Sequence, residues 1–200
     1  MIECESDHEA NFVILAELDP NVTDIFSQPF EWKHWSDGKQ RRHWPDFGLT
    51  IAGQPEIHEV KELAKLHDEV EWKTRCDWAV WCNEQGVPYS VTLDVHLNAS
   101  VQRRCIEELW FEHARKVAPF LTLRIQSLLE EGAMTIGAVI AALTPNEPFY
   151  DEILALAAQG KIYIDTSRDF SLETLVSFPD PSNPPPRLIP FFAPIPGSRP

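Results

Sequence analysis

The chain is short of basic residues and has no cysteine pattern typical of a metal site. It carries 17 Lys and Arg against 31 Asp and Glu, a formal net charge of −14. Because affinity for duplex DNA depends largely on contacts between cations and phosphates, a chain this acidic should bind DNA poorly by itself. Its four cysteines include no CxxC pair, which favours reduced thiols over disulfides or zinc.

Long apolar runs and a basic leader are also missing. No apolar run approaches the ~18 residues that a membrane span requires. The first 32 residues contain eight acidic residues and no Lys or Arg, unlike the basic start of a signal peptide. These features predict a cytoplasmic protein with no membrane attachment. Apolar residues make up 44% of the chain, enough for the core of one domain or of two small ones.

Two short apolar segments joined by a Gly/Pro turn carry the most informative polar residues. Residues 43–51 and 57–61 flank this turn, and the pattern predicts a β-hairpin. Glu59 and Lys61 project from one face of the second strand, because side chains alternate along a strand. If Asp46 faces the same side of the neighbouring strand, the three side chains converge.

Two carboxylates and a lysine are suited to phosphodiester hydrolysis. Carboxylate oxygens suit Mg²⁺, with Mn²⁺ as an alternative ion, and Mg²⁺ keeps several waters for a phosphate substrate. A nearby lysine can orient or deprotonate an attacking water and offset phosphate charge. The set therefore predicts a metal-dependent phosphodiesterase. A solvated strand face that happens to carry a Glu and a Lys would give the same local pattern.

A small basic cluster precedes Asp46 in the sequence. Residues 30–35 alternate like a strand, and the following Ser-Asp-Gly-Lys segment predicts a hairpin turn. The cluster is a candidate for DNA phosphate contacts beside the site, and a solvated hairpin tip is the alternative interpretation. Its members are Lys33, Lys39, Arg41 and Arg42.

Periodicity predicts an α/β domain over residues 1–117, with a mixed sheet flanked by helices. Ser6 and Glu9 form a capping-box pattern at the start of the first helix. The predicted helices cover 6–18, 68–85 and 99–115, and a buried strand covers 89–93.

Residues 118–178 predict a second, smaller domain. Three short helical segments and two short strands follow one another, the order of a winged helix. The second and third helical segments, residues 135–143 and 148–159, lack the basic residues expected of a DNA-reading helix, which favours protein docking. From residue 179 the composition shifts to nine prolines in 22 residues, typical of an extended tail. Residues 188–192 within it are either a docking peptide or a segment lying on the second domain.

Pro45-Asp46 followed by Glu59-x-Lys61 resembles the PD-(D/E)xK nuclease superfamily. Further blocks resemble the TnsA family, the endonuclease subunits of heteromeric transposases, and they occur in that family's order. These blocks are Ser6-Asp7-His8-Glu9, Asn21-Val22-Thr23-Asp24-Ile25 with Gln28-Pro29, Trp44-Pro45-Asp46-Phe47, His58-Glu59-Val60-Lys61, and the helix around Trp72–Trp81 that runs into Gly86-Val87-Pro88-Tyr89.

The resemblance implies a restriction-endonuclease-like fold and a specific set of site residues. Glu9, Asp46 and Glu59 would be the catalytic and metal-binding acids, and Lys61 the catalytic lysine. The main-chain carbonyl of Val60 would be a further metal ligand.

The resemblance also implies partners and a reaction. The protein would cut the 5′ strands at transposon ends with Mg²⁺, beside a DDE-type transposase, and would contact an AAA+ regulator ATPase through its C-terminal domain in the nucleoid. A non-catalytic assembly adaptor and a stand-alone defence nuclease are the alternatives.

Overall fold

The computed structural model describes residues 2–36, 39–98, 100–143, 149–180, 185 and 187–195. The chain forms two compact units. The first consists of Met1–Glu17, Asn21–Asn98 and Leu188–Pro200, and the second of Leu18–Pro20 and Ala99–Arg187.

The first unit is a mixed α/β structure. Its elements are α1 (Asp7–Leu18), β1 (Val22–Ser27), β2 (Trp32–Ser36), β3 (Lys39–His43), β4 (Phe47–Ile51), β5 (Gln54–Lys61), α2 (Leu63–Leu66), α3 (Glu69–Glu84), β6 (Tyr89–Leu93) and α4 (Asp94–Leu97). The main sheet has the strand order β1-β4-β5-β6. Its first two pairings are antiparallel and the β5–β6 pairing is parallel. A mixed sheet with helices is the predicted class of fold.

The strand arrangement differs from the prediction in two respects. The segment from Val22, for which no strand was predicted, forms β1 against β4. The strand expected to continue into Asp46 is split into β3 and β4. Pro45 lies between them, and the strand is interrupted there because a proline cannot donate a ladder hydrogen bond. β2 and β3 form a separate hairpin, and Asp37 and Gly38 of its predicted turn lie outside the described residues.

The two faces of β5 have different surroundings. On one face His58 lies against Phe12 of α1, with ring centroids 5.6 Å apart, and Phe12 stacks on Phe47 of β4 at 4.9 Å. Alternation places Glu59 and Lys61 on the opposite face. That face packs against a cluster rich in aromatic side chains, whose buried members include Trp72, Trp78 and Tyr89.

The bounds of helix α3 follow from the residues at its two ends, and one of its faces is buried. Asp68 is its N-cap and accepts hydrogen bonds from the backbone N–H groups of Val70 and Glu71, at 2.8 and 3.0 Å. Gly86 follows the helix with a φ of +72°, a conformation that favours glycine. The buried side chains of α3 are Trp72, Arg75, Cys76, Trp78 and Cys82.

The second unit contains α5 (Ser100–Glu112), α6 (Pro119–Leu129), β7 (Met134–Thr135), α7 (Ile136–Leu143), α8 (Tyr150–Ala158), β8 (Tyr163–Ile164) and β9 (Leu175–Ser177). The strands form an antiparallel sheet in the order β7-β9-β8. The unit boundary falls at residue 99, whereas the predicted domain boundary was 118. The difference arises because α5 packs against α8.

The Pro-rich tail returns to the first unit. Phe192 pairs with Val91 of β6 through two backbone hydrogen bonds, of 2.9 and 3.1 Å. The Thr92 hydroxyl donates to the carbonyl of Pro190 at 2.7 Å. The Phe192 ring stacks on Trp72, with centroids 6.2 Å apart. The sequence left two interpretations of residues 188–192: a docking peptide, or a segment lying on the second domain. Because Pro190 and Phe192 bind to β6 of the first unit, the second interpretation is wrong.

Among the helices in the described ranges, none is both long and apolar enough to cross a membrane.

Candidate active site

The structure brings Asp46, Glu59 and Lys61 together at one end of the main sheet. Asp46 directly precedes β4, and the other two residues lie at the end of β5. The ammonium nitrogen of Lys61 is 2.9 Å from Asp46 Oδ2 and 2.8 Å from Glu59 Oε2. The lysine therefore joins the two carboxylates, as the alternation of β5 predicted. The catalytic roles of these residues stay a prediction.

Two backbone contacts fix the position of Asp46. The N–H of Val60 donates to Asp46 Oδ2 at 2.8 Å, and the N–H of Gln28 donates to the Asp46 carbonyl at 3.0 Å. Because the N–H and C=O of one strand residue point to the same side, the Val60 carbonyl also points to the side of β5 on which Asp46 lies. Its orientation is compatible with a role as a metal ligand.

Glu59 is fully buried, with 0% of its surface exposed. Besides Lys61, its carboxylate contacts His43 Nε2 through Oε1 and the Arg75 guanidinium through Oε2, each at 2.5 Å. His43 is the last residue of β3, and Arg75 lies in the middle of α3. A buried carboxylate requires such partners, because leaving its charge unpaired would be costly.

Sequence analysis did not identify His43 or Arg75. Two signals were available. His43 lies three positions before Asp46, and Arg75 lies on the same helical face as Trp72, Cys76 and Cys82. An arginine on an otherwise apolar helix face predicts a buried partner carboxylate. The sequence did not indicate which carboxylate this would be.

The pKa values of the site follow from burial and from these contacts. Burial alone would raise the pKa of Glu59, but the hydrogen bond from His43 and the charges of Lys61 and Arg75 outweigh it and lower the pKa to about 2. Burial works against the charged form of Lys61, but Glu59 and Asp46 outweigh it, and the Lys61 pKa is raised. Lys61 is therefore a cation in this arrangement.

Asp46 behaves differently from Glu59. Burial and the nearby charge of Glu59 raise the pKa of Asp46, and Lys61 with the Val60 N–H offsets only part of this effect. The two carboxylates of the site thus have pKa values shifted in opposite directions. Such a separation is common where carboxylates have different tasks.

Glu9 occupies the start of α1, where its observed contacts are those of a helix cap. Its carboxylate accepts hydrogen bonds from the backbone N–H of Glu5 at 2.8 Å and from the Ser6 hydroxyl at 3.2 Å. The Glu9 N–H donates to the Ser6 hydroxyl oxygen at 3.2 Å. The predicted capping box is therefore present, although the backbone N–H that donates to Glu9 belongs to Glu5 instead of Ser6. Within the described part of the chain, no hydrogen bond or ion pair joins Glu9 to the Asp46–Glu59–Lys61 group.

The donor types of the site fit a cation that prefers oxygen ligands. Asp46, Glu59 and the Val60 carbonyl supply oxygens of the kind that Mg²⁺ and Mn²⁺ take. Within the described residues, no group of three or more His, Cys, Asp or Glu side chains is arranged to hold a metal ion. Lys61 and Arg75 are the cations beside the carboxylates in this structure.

The predicted basic cluster is only partly described. Lys33 and Arg42 lie opposite each other on β2 and β3. Both pair with Glu31, at 3.1 and 3.3 Å, so part of their charge is already offset. Lys39 and Arg41 belong to β3, and their side chains lie outside the described residues.

A protein-family model matches the segment that contains this site. It is the model of the TnsA-like endonuclease N-terminal domain, and the match covers residues 19–94. The predicted TnsA-like resemblance is confirmed there. His43, Asp46, Glu59, Lys61 and Arg75 all lie within the matched segment, whereas Glu9 precedes it. No curated protein matches the chain.

Proposed function

We propose that this protein is a Mg²⁺-dependent DNA endonuclease subunit of a heteromeric transposase, which hydrolyses phosphodiester bonds of the 5′ strands at transposon ends. The observation that carries the proposal is the position of Lys61 between Asp46 and Glu59, inside the segment that is similar to TnsA-like endonucleases. Nuclease activity is the coarser inference that this similarity supports directly.

In the proposed reaction Asp46, Glu59 and the Val60 carbonyl hold the metal ion. When bound, Mg²⁺ or Mn²⁺ supplies Lewis-acid polarisation of the phosphate and activation of water. Lys61, whose pKa is raised, offsets negative charge on the substrate phosphate. This role fits a protonated lysine better than that of a general base. Glu9 remains the third acidic residue only through the family resemblance.

We further propose that affinity for DNA comes from partners. The net charge of −14 opposes binding to a polyanion, and Glu31 already pairs with Lys33 and Arg42. A DDE-type transposase would recognise the transposon ends and cut the 3′ strands. The complex would act in the cytoplasm, on nucleoid DNA.

The second unit is proposed to be a winged helix that docks the AAA+ regulator. From α6 onward, within the predicted range 118–178, the order of helix, short strand, two helices and two strands supports the assignment. Helix α7 is apolar, and the first turn of α8 contains Asp151 and Glu152. Neither helix has the basic side chains that a DNA-reading helix would use.

The decisive experiment is a cleavage assay on transposon-end DNA labelled on the 5′ strand. The protein is mixed with its partner transposase and Mg²⁺, as wild type and as Asp46→Asn. We expect the 5′-strand product only with wild type. Asp24→Asn, an exposed change on β1, is the matched control and should cut normally. Equal 5′-strand cutting with Asp46→Asn would indicate a non-catalytic adaptor. Cutting of unrelated DNA without any partner would indicate a stand-alone nuclease.

A further inference from the structure

The formal charges of Asp46, Glu59, Lys61 and Arg75 balance without a metal ion. Asp46 and Glu59 contribute two negative charges, and Lys61 and Arg75 contribute two positive charges. The cation–carboxylate distances are 2.9 Å for Lys61–Asp46, 2.8 Å for Lys61–Glu59 and 2.5 Å for Arg75–Glu59. A divalent cation that binds these carboxylates therefore enters a site that already has its full complement of positive charge.

Arg75 is placed to act on Glu59. The residue is only 4% exposed, and its Nη1 reaches Glu59 Oε2, the same oxygen that Lys61 contacts. Its other terminal nitrogen lies 3.5 Å from Glu71, on the preceding turn of α3. Because α3 packs against the sheet, its backbone holds the guanidinium at the carboxylate. Screening by solvent is weak at such a buried pair.

We propose that Arg75 is a positioning residue that serves as the resident cation of Glu59, stabilising the metal-free site and lowering the affinity of the free protein for divalent ions. The inference rests on the proposed function, since it concerns the same carboxylates. Two opposite effects follow from one contact. Removing the guanidinium leaves the buried Glu59 short of a partner, which destabilises the metal-free protein. It also removes a positive charge that repels an incoming cation.

The test is calorimetric titration of the full chain with Mn²⁺, without DNA, combined with thermal melts in EDTA and in Mn²⁺. Arg75→Gln should bind Mn²⁺ at least about tenfold more tightly than wild type, because a nearby positive charge is lost. Its melting temperature should be lower in EDTA and should rise more on addition of Mn²⁺ than that of wild type. Arg75→Lys retains the charge and should bind Mn²⁺ with nearly wild-type affinity. Arg103→Gln, an exposed change on α5, is the matched control and should alter neither readout.

Several outcomes would overturn the inference. Arg75→Gln could bind Mn²⁺ no more tightly than wild type, or Arg75→Lys could bind it as tightly as Arg75→Gln. If Arg75→Gln is unfolded in EDTA, recovery of a cooperative melt in Mn²⁺ supports the inference, and failure to recover contradicts it. The proposed function is judged separately by Asp46→Asn. If wild type binds no Mn²⁺, or Asp46→Asn binds it equally well, the metal site itself is wrong.

Discussion

The two units use charge in different ways. In the second unit, each ion pair described includes an exposed arginine. Arg104 and Asp169, whose side chains are 52% and 58% exposed, are an example. In the first unit Arg75 and Glu59 form their pair in the interior, with side chains only 5% and 0% exposed. A buried ion pair is weak evidence for stability, since apolar residues of similar volume often do as well or better. The contrast therefore fits the proposed catalytic role of the charges beside β5.

The largest expected effect concerns cleavage. Lys61→Ala should reduce partner-dependent cutting by roughly 10²–10³-fold, the range for removing one group that stabilises transition-state charge. Rates are measured under single-turnover conditions with Mg²⁺. Lys65→Ala, an exposed lysine of α2 paired with Glu62, is the control and should keep its activity. If Lys61→Ala cuts at the wild-type rate, the buried charges of the first unit do not serve the reaction.

The substitution Glu9→Gln tests whether the active site includes a residue outside the Asp46–Glu59–Lys61 group. The carbonyl oxygen of Gln can accept from the Glu5 N–H, and its amide NH2 can donate to the Ser6 hydroxyl oxygen instead of accepting from it. Glu9→Gln should therefore leave the melting temperature nearly unchanged, since a whole cap contributes only ~1 kcal/mol. The family resemblance requires negative charge at this position, and on that basis we expect cleavage to be lost. A fully active Glu9→Gln protein would limit this residue to capping α1.

Lowering the pH should destabilise the first unit, because Glu59 becomes protonated. Its folded-state pKa of about 2 lies below the ordinary value of 4.5, so the stabilisation is present above about pH 4.5 and is lost as pH falls toward 2. The shift corresponds to about 3 kcal/mol. The raised pKa of Asp46 has the opposite sign and offsets part of this loss. We therefore compare wild type with Glu59→Gln, whose stability should fall less steeply over this interval in urea melts. Parallel curves for the two proteins would contradict the assigned pKa.

A loss of stability of similar size should follow removal of residues 188–200. The deletion removes the backbone pairing of Phe192 with Val91 and its stacking on Trp72. Loss of the partly buried Phe192 ring and of the buried Leu188 and Ile189 side chains should cost roughly 2–4 kcal/mol, measured as the free energy of unfolding. Phe191→Ala changes the exposed neighbour of Phe192 and should cost much less. If the shortened protein is as stable as the full chain, the tail contributes nothing to the sheet.

The smallest effect is expected in the second unit. Arg104→Gln removes a pair that is open to solvent on both sides, where screening and side-chain entropy cancel most of the attraction. The melting temperature should not change measurably. A large decrease would mean that the contrast between exposed and buried pairs does not describe this molecule.

Local rules predicted the elements and part of the site. Alternation along β5 was enough to place Glu59 beside Lys61, and the strand at 89–93 and the helix ending before Gly86 were predicted closely. The contribution of β3 and α3 to the site could not be predicted, because His43 and Arg75 reach Glu59 through tertiary packing. Strand pairing also overrode the local pattern at Val22–Ser27, which pairs with β4 as β1.

The return of the tail to β6 has a consequence for the order of folding. Residues 99–187 interrupt the first unit between α4 and the segment that pairs with Val91. During synthesis the second unit therefore leaves the ribosome complete before the last strand-like segment of the first unit appears. Until then the outer edge of β6 lacks this cover, and such edges tend to pair with other chains. The nuclease-like unit begins to form first and is completed last.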